Sequence, residues 1–192
     1  MIVEPMFTSF IGTDIIEIDN YSLENYCREQ IVLSNKNNQS NFLNLTSKEL
    51  SPLGVVVLSA CNKIYKELGF SNNYRLNLSQ AWSNLNNSYY TDEVHIHRDS
   101  FFSAVYYVKA TGTKDNGTLD LLTPDHGLRQ MIKPEIISTY NAFNGSKWSI
   151  TPETGKLVIF PSWIMHHVTA NISNKDRISI AFDTCLESNT YE

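Results

Sequence analysis

The stretch that decides the fold runs Lys156-Leu-Val-Ile-Phe-Pro-Ser-Trp-Ile-Met-His166-His-Val-Thr-Ala-Asn-Ile-Ser-Asn-Lys-Asp-Arg177-Ile-Ser-Ile-Ala-Phe182. It holds three short runs rich in Val, Ile and Phe, at 156–160, 166–170 and 177–182, separated by Pro, Ser, Asn and Asp. Apolar runs of this length between turn-forming residues read as β-strands. The same texture extends upstream, with clear runs at 101–109 and 118–122 and weaker ones at 74–82, 89–97 and 131–140. About eight short strands without intervening helices predict an antiparallel sandwich or barrel, most simply a jelly roll.

The N-terminal part has a different period. Leu50, Leu53, Val57, Ala60, Ile64 and Leu68 recur at helical spacing, Thr46-x-x-Glu49 reads as a capping box ahead of them, and Gly69 as the stop. A shorter helix is expected from Ser22, with Leu23 and Cys27 on one face, and the Asn- and Ser-rich segment 34–44 between the two reads as loop. The 192 residues therefore read as one domain, mainly β with N-terminal helices, in which 1–75 is a helical support and 76–186 the β core.

Composition narrows the class further. With 42% hydrophobic residues the chain can bury a core, and disorder is excluded. A net charge of −5 and the lack of any long Lys/Arg run disfavour a nucleic-acid partner. Cys27, Cys61 and Cys185 are odd in number and far apart, which fits neither a disulfide framework nor a thiolate zinc site and points to a reducing compartment. The expected location is the cytoplasm. No membrane span or signal peptide is expected. The N-x-S/T triplets at Asn38, Asn116 and Asn171 read as chance.

Four of the five histidines fall in two groups, His95-Ile-His97-Arg-Asp99 and His166-His167. In an extended strand residues i and i+2 share a side, so His95, His97 and Asp99 face one way. Two imidazoles and a carboxylate on one side form the facial triad of non-haem Fe(II) oxygenases. His97 and Asp99 with a distant histidine meet that need; so do His95 and His97 with a distant histidine, as an all-nitrogen set. Adjacent strand residues point apart, so only one of His166 and His167 faces inward, and the turn after Phe160 favours His166. Arg177 opens the next strand, where a guanidinium at the mouth of a dry barrel suits a bidentate grip on a carboxylate. Blander readings are that Arg177 pairs with Asp176 or Asp183 at the surface and that Asp99 merely starts a turn. His126 reads as an exposed loop residue, Trp82, Trp163 and Phe160 as core, Tyr89 and Tyr90 as pocket mouth or packing, and 125–144 as a loop over the barrel.

In their order and spacing these pieces resemble the 2-oxoglutarate- and Fe(II)-dependent oxygenase superfamily, most closely its branch of small bacterial and phage proteins. The resemblance rests on Trp82-Ser-Asn84, His95-Ile-His97, Ser103-Ala-Val-Tyr-Tyr107, Gly117-Thr-Leu119, Gly155-Lys-Leu-Val-Ile-Phe-Pro-Ser-Trp163, His166-His-Val168 and Arg177-Ile-Ser-Ile-Ala-Phe182, about half the chain. It implies a double-stranded β-helix, in agreement with the jelly roll. It also implies that His166 is the distal metal ligand, that Arg177 binds the far carboxylate of 2-oxoglutarate, that Tyr107 assists it, and that Ser179 lies beside it. The superfamily's usual H-x-D motif maps onto His97 and Asp99; the branch's H-x-H pattern maps onto His95 and His97, with Arg98 in place of a proline. The branch pattern favours His95, His97 and His166, and both sets contain His97 and His166. Ala104 stands where the branch often has glycine.

The expected activity is that of a dioxygenase, a hydroxylase or close relative, with Fe(II) and 2-oxoglutarate as cofactors and with oxygen and an unknown primary substrate as partners. Two alternatives compete: a three-histidine cupin-like dioxygenase that does not use 2-oxoglutarate, for which Arg177 has no purpose, and a non-enzymatic jelly-roll binding or structural module, which leaves both histidine groups as coincidence.

Overall fold

The computed structural model describes residues 1–4 and 6–189, with the side chains of His126, Leu128 and Arg129 outside the described set. In chain order the elements are β1 (Gly12–Ile15), α1 (Asn20–Leu33), α2 (Ser51–Glu67), β2 (Tyr74–Asn86), β3 (Phe102–Lys109), β4 (Leu119–Leu122), α3 (His126–Met131), β5 (Lys147–Ile150), β6 (Lys156–Pro161), β7 (His166–Val168) and β8 (Arg177–Ser188). Two antiparallel sheets form, one ordered β1-β6-β3-β8-β2 and the other β5-β4-β7. The architecture is the expected double-stranded β-helix.

The helices α1 and α2 lie on the outer face of the five-stranded sheet. Asp19 caps α1 by accepting from the Ser22 amide, and Leu23, Tyr26, Cys27 and Ile31 form its buried stripe. From α2, Leu53, Val57, Cys61 and Tyr65 are buried. These stripes meet Phe102, Ala104 and Tyr106 of β3, Leu157 and Ile159 of β6, and Ile178, Ile180 and Phe182 of β8 in one core. A smaller core of Tyr107, Leu119, Leu121, Ile150, Val158, Phe160 and Ile164 fills the space between the sheets. Each fully buried aliphatic or aromatic side chain contributes roughly 1.5–3 kcal/mol, so the helix-side core dominates stability.

Several expectations needed correction. Thr46 and Glu49 do not form a capping box: the Thr46 hydroxyl donates to Asn44 Oδ1, and Leu50, which has no side-chain acceptor, occupies the cap position. Pro52 in the first turn of α2 compensates, because its missing N–H is one that no cap need satisfy. Gly69 does end the helix, at φ +78°, with Phe70 N–H donating back to Tyr65 O. The 131–140 run is no strand; its Pro134 begins a 3-10 turn, Pro134–Ile136, instead. The 89–97 run forms no strand either. It follows β7 through separated bonds, Asp92 N to Val168 O, His95 N to His166 O and His97 N to Ser162 O, while Tyr89 sits at φ +67°. The strands missed were β1 and β5, four residues each at sheet edges. β1 also means that the N-terminal region is not purely helical support, since Gly12–Ile15 pairs with β6.

One irregularity positions the site. In β2 the register against β8 shifts between Leu78 and Gln80, leaving Ser79 as an extra residue. Leu76 and Leu78 point to the helix-side core, and so does Ala81. The bulge thus switches the strand's phase and re-aims Gln80, Trp82, Asn84 and Asn86 at the barrel interior.

Candidate active site

The inner face of the large sheet carries polar groups in cross-strand rows. Gln80, Asp183 and Ser103 are register partners in one row, Asn84, Ser179 and Tyr107 in another, and Asn86 and Arg177 in a third. Across the barrel, β7 presents His166, which forms a bridge with His95.

The rings of His95, His97 and His166 converge at this end. Their centroids are 4.4 Å apart for His95 and His166, 5.1 Å for His97 and His166, and 5.3 Å for His95 and His97. Among the described residues they are the group able to hold a metal ion, with one ligand nitrogen from each lying within 4.8 Å of the others. Asp99 is exposed and stands outside that group. The reason lies in the backbone. After His97 the chain turns, with Ser100 N–H donating to His97 O, so the strand alternation that would have aimed Asp99 inward has ended. His167 points to the opposite face, 3.9 Å from Asp120, as alternation requires.

Every imidazole of the trio engages its Nδ1. His95 Nδ1 meets Glu93 O at 2.7 Å, His166 Nδ1 meets Ile164 O at 2.8 Å, and His97 Nδ1 meets Asp183 Oδ1 at 2.6 Å. A carbonyl or carboxylate at Nδ1 selects the tautomer protonated there and leaves Nε2 as the lone-pair donor, the arrangement seen in metal-ligating histidines. Burial pushes the His166 imidazolium down to about 4, so the ring is neutral near pH 7, and Phe160 packs edge-on against it at 4.8 Å. Trp82 is half-buried, its ring 5.5 Å from that of His97, and is a wall of the site rather than core. Trp163 is not core either: it is 52% exposed, because the turn after β6 carries it outward onto Phe101. His126 belongs to α3, and its side chain lies outside the described set.

Sequence reasoning missed Asp183, which entered it only in the blander reading, as a surface partner for Arg177. The residue is 2% exposed. Burial alone would raise its carboxyl, but bonds from His97, Gln80 and Ser103 outweigh that and hold it below the ordinary aspartate value. Ser103 Oγ donates to Asp183 Oδ1 and lies 2.8 Å from Ser162 Oγ, which donates to Ser100 Oγ. The available signal was the alternation of β8, which puts Asp183 on the same face as Arg177 and Ser179.

At the other end lies Arg177, 1% exposed. Its Nη1 donates to Gly117 O at 2.7 Å and Asn116 O at 3.3 Å, while its Nε is buried without a partner. It forms no ion pair among the described residues; Asp176 pairs instead with Arg28. Burial lowers its pKa, and Tyr107, Asp92 and Tyr90 partly offset this. Asn86, its register partner, also has a buried Nδ2 with no acceptor. Tyr107 is buried beside them, its hydroxyl pushed up to about 12 by desolvation. The triplet asparagines find a use here: Asn116 and Asn171 are fully buried and hydrogen-bonded to each other, bracing the turn whose carbonyls hold Arg177.

Comparison with known proteins agrees with this geometry. Residues 80–183 match the family described as "Putative 2OG-Fe(II) oxygenase", more than half the chain, and the chain belongs to that family. It is a 2-oxoglutarate/Fe(II)-dependent dioxygenase by class, with Fe(II) and 2-oxoglutarate as its cofactors. The cupin-like and non-enzymatic alternatives are set aside on that ground. No curated protein matches the sequence. Among solved structures, a Pseudomonas putida prolyl-4-hydroxylase is 14% identical with a TM-score of 0.62 and 93% of each chain covered. The non-haem α-ketoglutarate-dependent epimerase SnoN from nogalamycin biosynthesis is 9% identical with a TM-score of 0.64, covering 94% of this chain and 81% of its own. HygX from Streptomyces hygroscopicus, solved with nickel and 2-oxoglutarate, is 10% identical with a TM-score of 0.60, covering 96% and 84%. At these identities the likeness is one of fold. Among the described residues no helix is long and apolar enough to cross a membrane.

Proposed function

We propose that the enzyme couples oxidative decarboxylation of 2-oxoglutarate to hydroxylation of a second substrate, with His95, His97 and His166 holding Fe(II) through Nε2 and Arg177 holding the keto acid. The observation that carries this reading is the buried guanidinium of Arg177, which makes no ion pair with a carboxylate among the described residues and has an unpartnered Nε. A buried charge is stable only when paired, so the site demands an anion of its own. Asn86 Nδ2 is a second donor without an acceptor in the register position opposite. Together they suit the far carboxylate of 2-oxoglutarate, with the Tyr107 and Ser179 hydroxyls as further contacts.

The donor set fits the metal as well. Three neutral imidazoles from one side suit a first-row divalent ion and leave the opposite positions for small ligands. Bound there, iron and the keto acid supply the oxygen chemistry, whose products are succinate, carbon dioxide and an oxidised substrate. The chain's own share is placement. Arg177 and Asn86 fix one end of the keto acid, Phe160 and Val158 keep the interior dry, and Trp82 walls the open side next to His97. The HygX fold shared by this chain holds 2-oxoglutarate together with nickel in that protein, which supports the same use of the barrel here.

The test is anaerobic titration of the metal-loaded protein with 2-oxoglutarate. Arg177→Ala is expected to weaken binding on the order of 100-fold, the effect of leaving a buried carboxylate without its charged partner. Succinate should accumulate aerobically only with the native residue. Binding that is absent, or equal in both proteins, overturns the assignment.

A further inference from the structure

Three neutral imidazoles bring no negative charge to a divalent cation, whereas a triad of two histidines and a carboxylate brings one. The missing charge stands one hydrogen bond further out. Asp183 lies on β8, behind His97, at 2.6 Å from Nδ1. Its Oδ1 also accepts from Ser103 Oγ at 2.9 Å and its Oδ2 from Gln80 Nε2 at 2.8 Å. No lysine or arginine among the described residues pairs with it; the His97 ring is its only basic partner there. The other two imidazoles lean on neutral carbonyls, Glu93 O and Ile164 O. A buried carboxylate held by neutral donors and one imidazole is stable where a cation completes the arrangement.

We propose that Asp183 is a positioning residue that delivers to the metal, through His97, the negative charge that the ligand set lacks. This rests on the reading of His95, His97 and His166 as the metal ligands. Net charge is then the same as for a triad with a carboxylate in direct contact, but it reaches the ion through one ring alone. Two features of the fold serve this placement. The bulge at Ser79 brings Gln80 onto the inner face to hold Oδ2, and the chain of Ser103, Ser162 and Ser100 hydroxyls holds Oδ1. The exposed Asp99 is thereby free of any role at the metal.

The experiment is titration of the metal-free full chain with Co(II), read by visible absorbance, for the wild type, Asp183→Asn, Ser103→Ala and His166→Ala. Asp183→Asn preserves shape and removes charge; the expected loss in Co(II) affinity is about 10–100-fold, the range for removal of a carboxylate behind a ligating histidine. The Fe(III)/Fe(II) midpoint potential should move positive in the same variant, because less negative charge stabilises the ferric ion less. Ser103→Ala, which keeps the carboxylate, should lose less affinity than Asp183→Asn. If Asp183→Asn binds Co(II) as tightly as the wild type while His166→Ala does not, the role of Asp183 is refuted and the triad stands. If His166→Ala also binds like the wild type, the triad falls and the proposal with it. A measurement on the unaltered protein guards against misfolding of the variants: with Zn(II) bound, the Nδ1 proton of His97 should resonate downfield of those of His95 and His166, and three coincident shifts would overturn the proposal.

Discussion

On the helix side of the five-stranded sheet, β8 presents Ile178, Ile180 and Phe182, all fully buried in the larger core. On the other side the same strand presents Arg177, Ser179 and Asp183, buried almost as completely. The two faces are under opposite energetic rules. Apolar groups on the first gain free energy by leaving water, in proportion to area. Charged groups on the second lose hydration: Arg177 is held by neutral carbonyls, and Asp183 by neutral donors and the His97 ring. On the proposed assignment Arg177 awaits the carboxylate of the keto acid and Asp183 stands behind a ligand of the metal, so the interior would be complementary to a divalent ion and a carboxylate before either arrives. The helix face supplies the stability that the inner face lacks, and strand alternation lets a single β-strand do both.

This contrast can be broken in a graded series. The largest effect is expected on the apolar face. Phe182→Ala should lower unfolding free energy by about 4 kcal/mol, from lost transfer and the cavity left behind. The folded fraction should still bind one Co(II). A loss of metal binding with stability unchanged would mean that the faces are not separable.

Acid tests the inner face next. His166 is neutral in the fold because burial pushes its imidazolium from the usual 6.5 down to about 4. The unfolded chain therefore takes up a proton first as pH falls, and stability drops between about 6.5 and 4 by about 3 kcal/mol. Asp183 acts in the same direction at lower pH, since its depressed carboxyl contributes stability above its ordinary value of 3.8 and loses it below. Denaturant midpoints of the metal-free protein at pH 7, 5.5 and 4.5 should fall in that order; a flat series would mean that His166 is not buried as a neutral ring. Bound metal should be released over the same range, because protons compete for Nε2.

The smallest effect concerns the turn behind Arg177. Gly117 has φ +82°, and a Cβ there would sit 2.5 Å from Thr169 O and 3.0 Å from Arg177 Nη1. Gly117→Ala should destabilise by about 2 kcal/mol. It should also weaken 2-oxoglutarate binding, since the carbonyl that orients Arg177 moves. Destabilisation with unaltered 2-oxoglutarate affinity would show that the turn supports the fold without aiming the guanidinium.

Much of this was legible because the interior strands are regular. The runs that became β3, β4, β6, β7 and β8 are apolar enough to announce themselves, and the alternation in His166-His167 chose the inward ring. The family resemblance added the cofactors, and with them the expectation that Arg177 binds a carboxylate. Legibility failed where the period breaks or the element is short. β1 and β5 offer four residues each at an edge. In β2 the bulge at Ser79 shifts the alternation, so no single phase describes the strand. The 89–97 segment carries two of the three clustered imidazoles without being a strand, its backbone bonded only at intervals.

By itself, then, the sequence determined what alternation and spacing can encode: a β-rich barrel braced by two helices, paired imidazoles at i and i+2, one inward histidine of two, and an arginine opening the last strand. Only tertiary structure decided the exposed position of Asp99 outside the imidazole cluster, the burial of Asp183 and its bond to His97, and the unpartnered donors of Arg177 and Asn86. The physical reason is that local pattern specifies which face a side chain takes. Its partner comes from a strand distant in the chain, through cross-strand register, and here that register is set by a bulge that hydrophobic periodicity does not reveal.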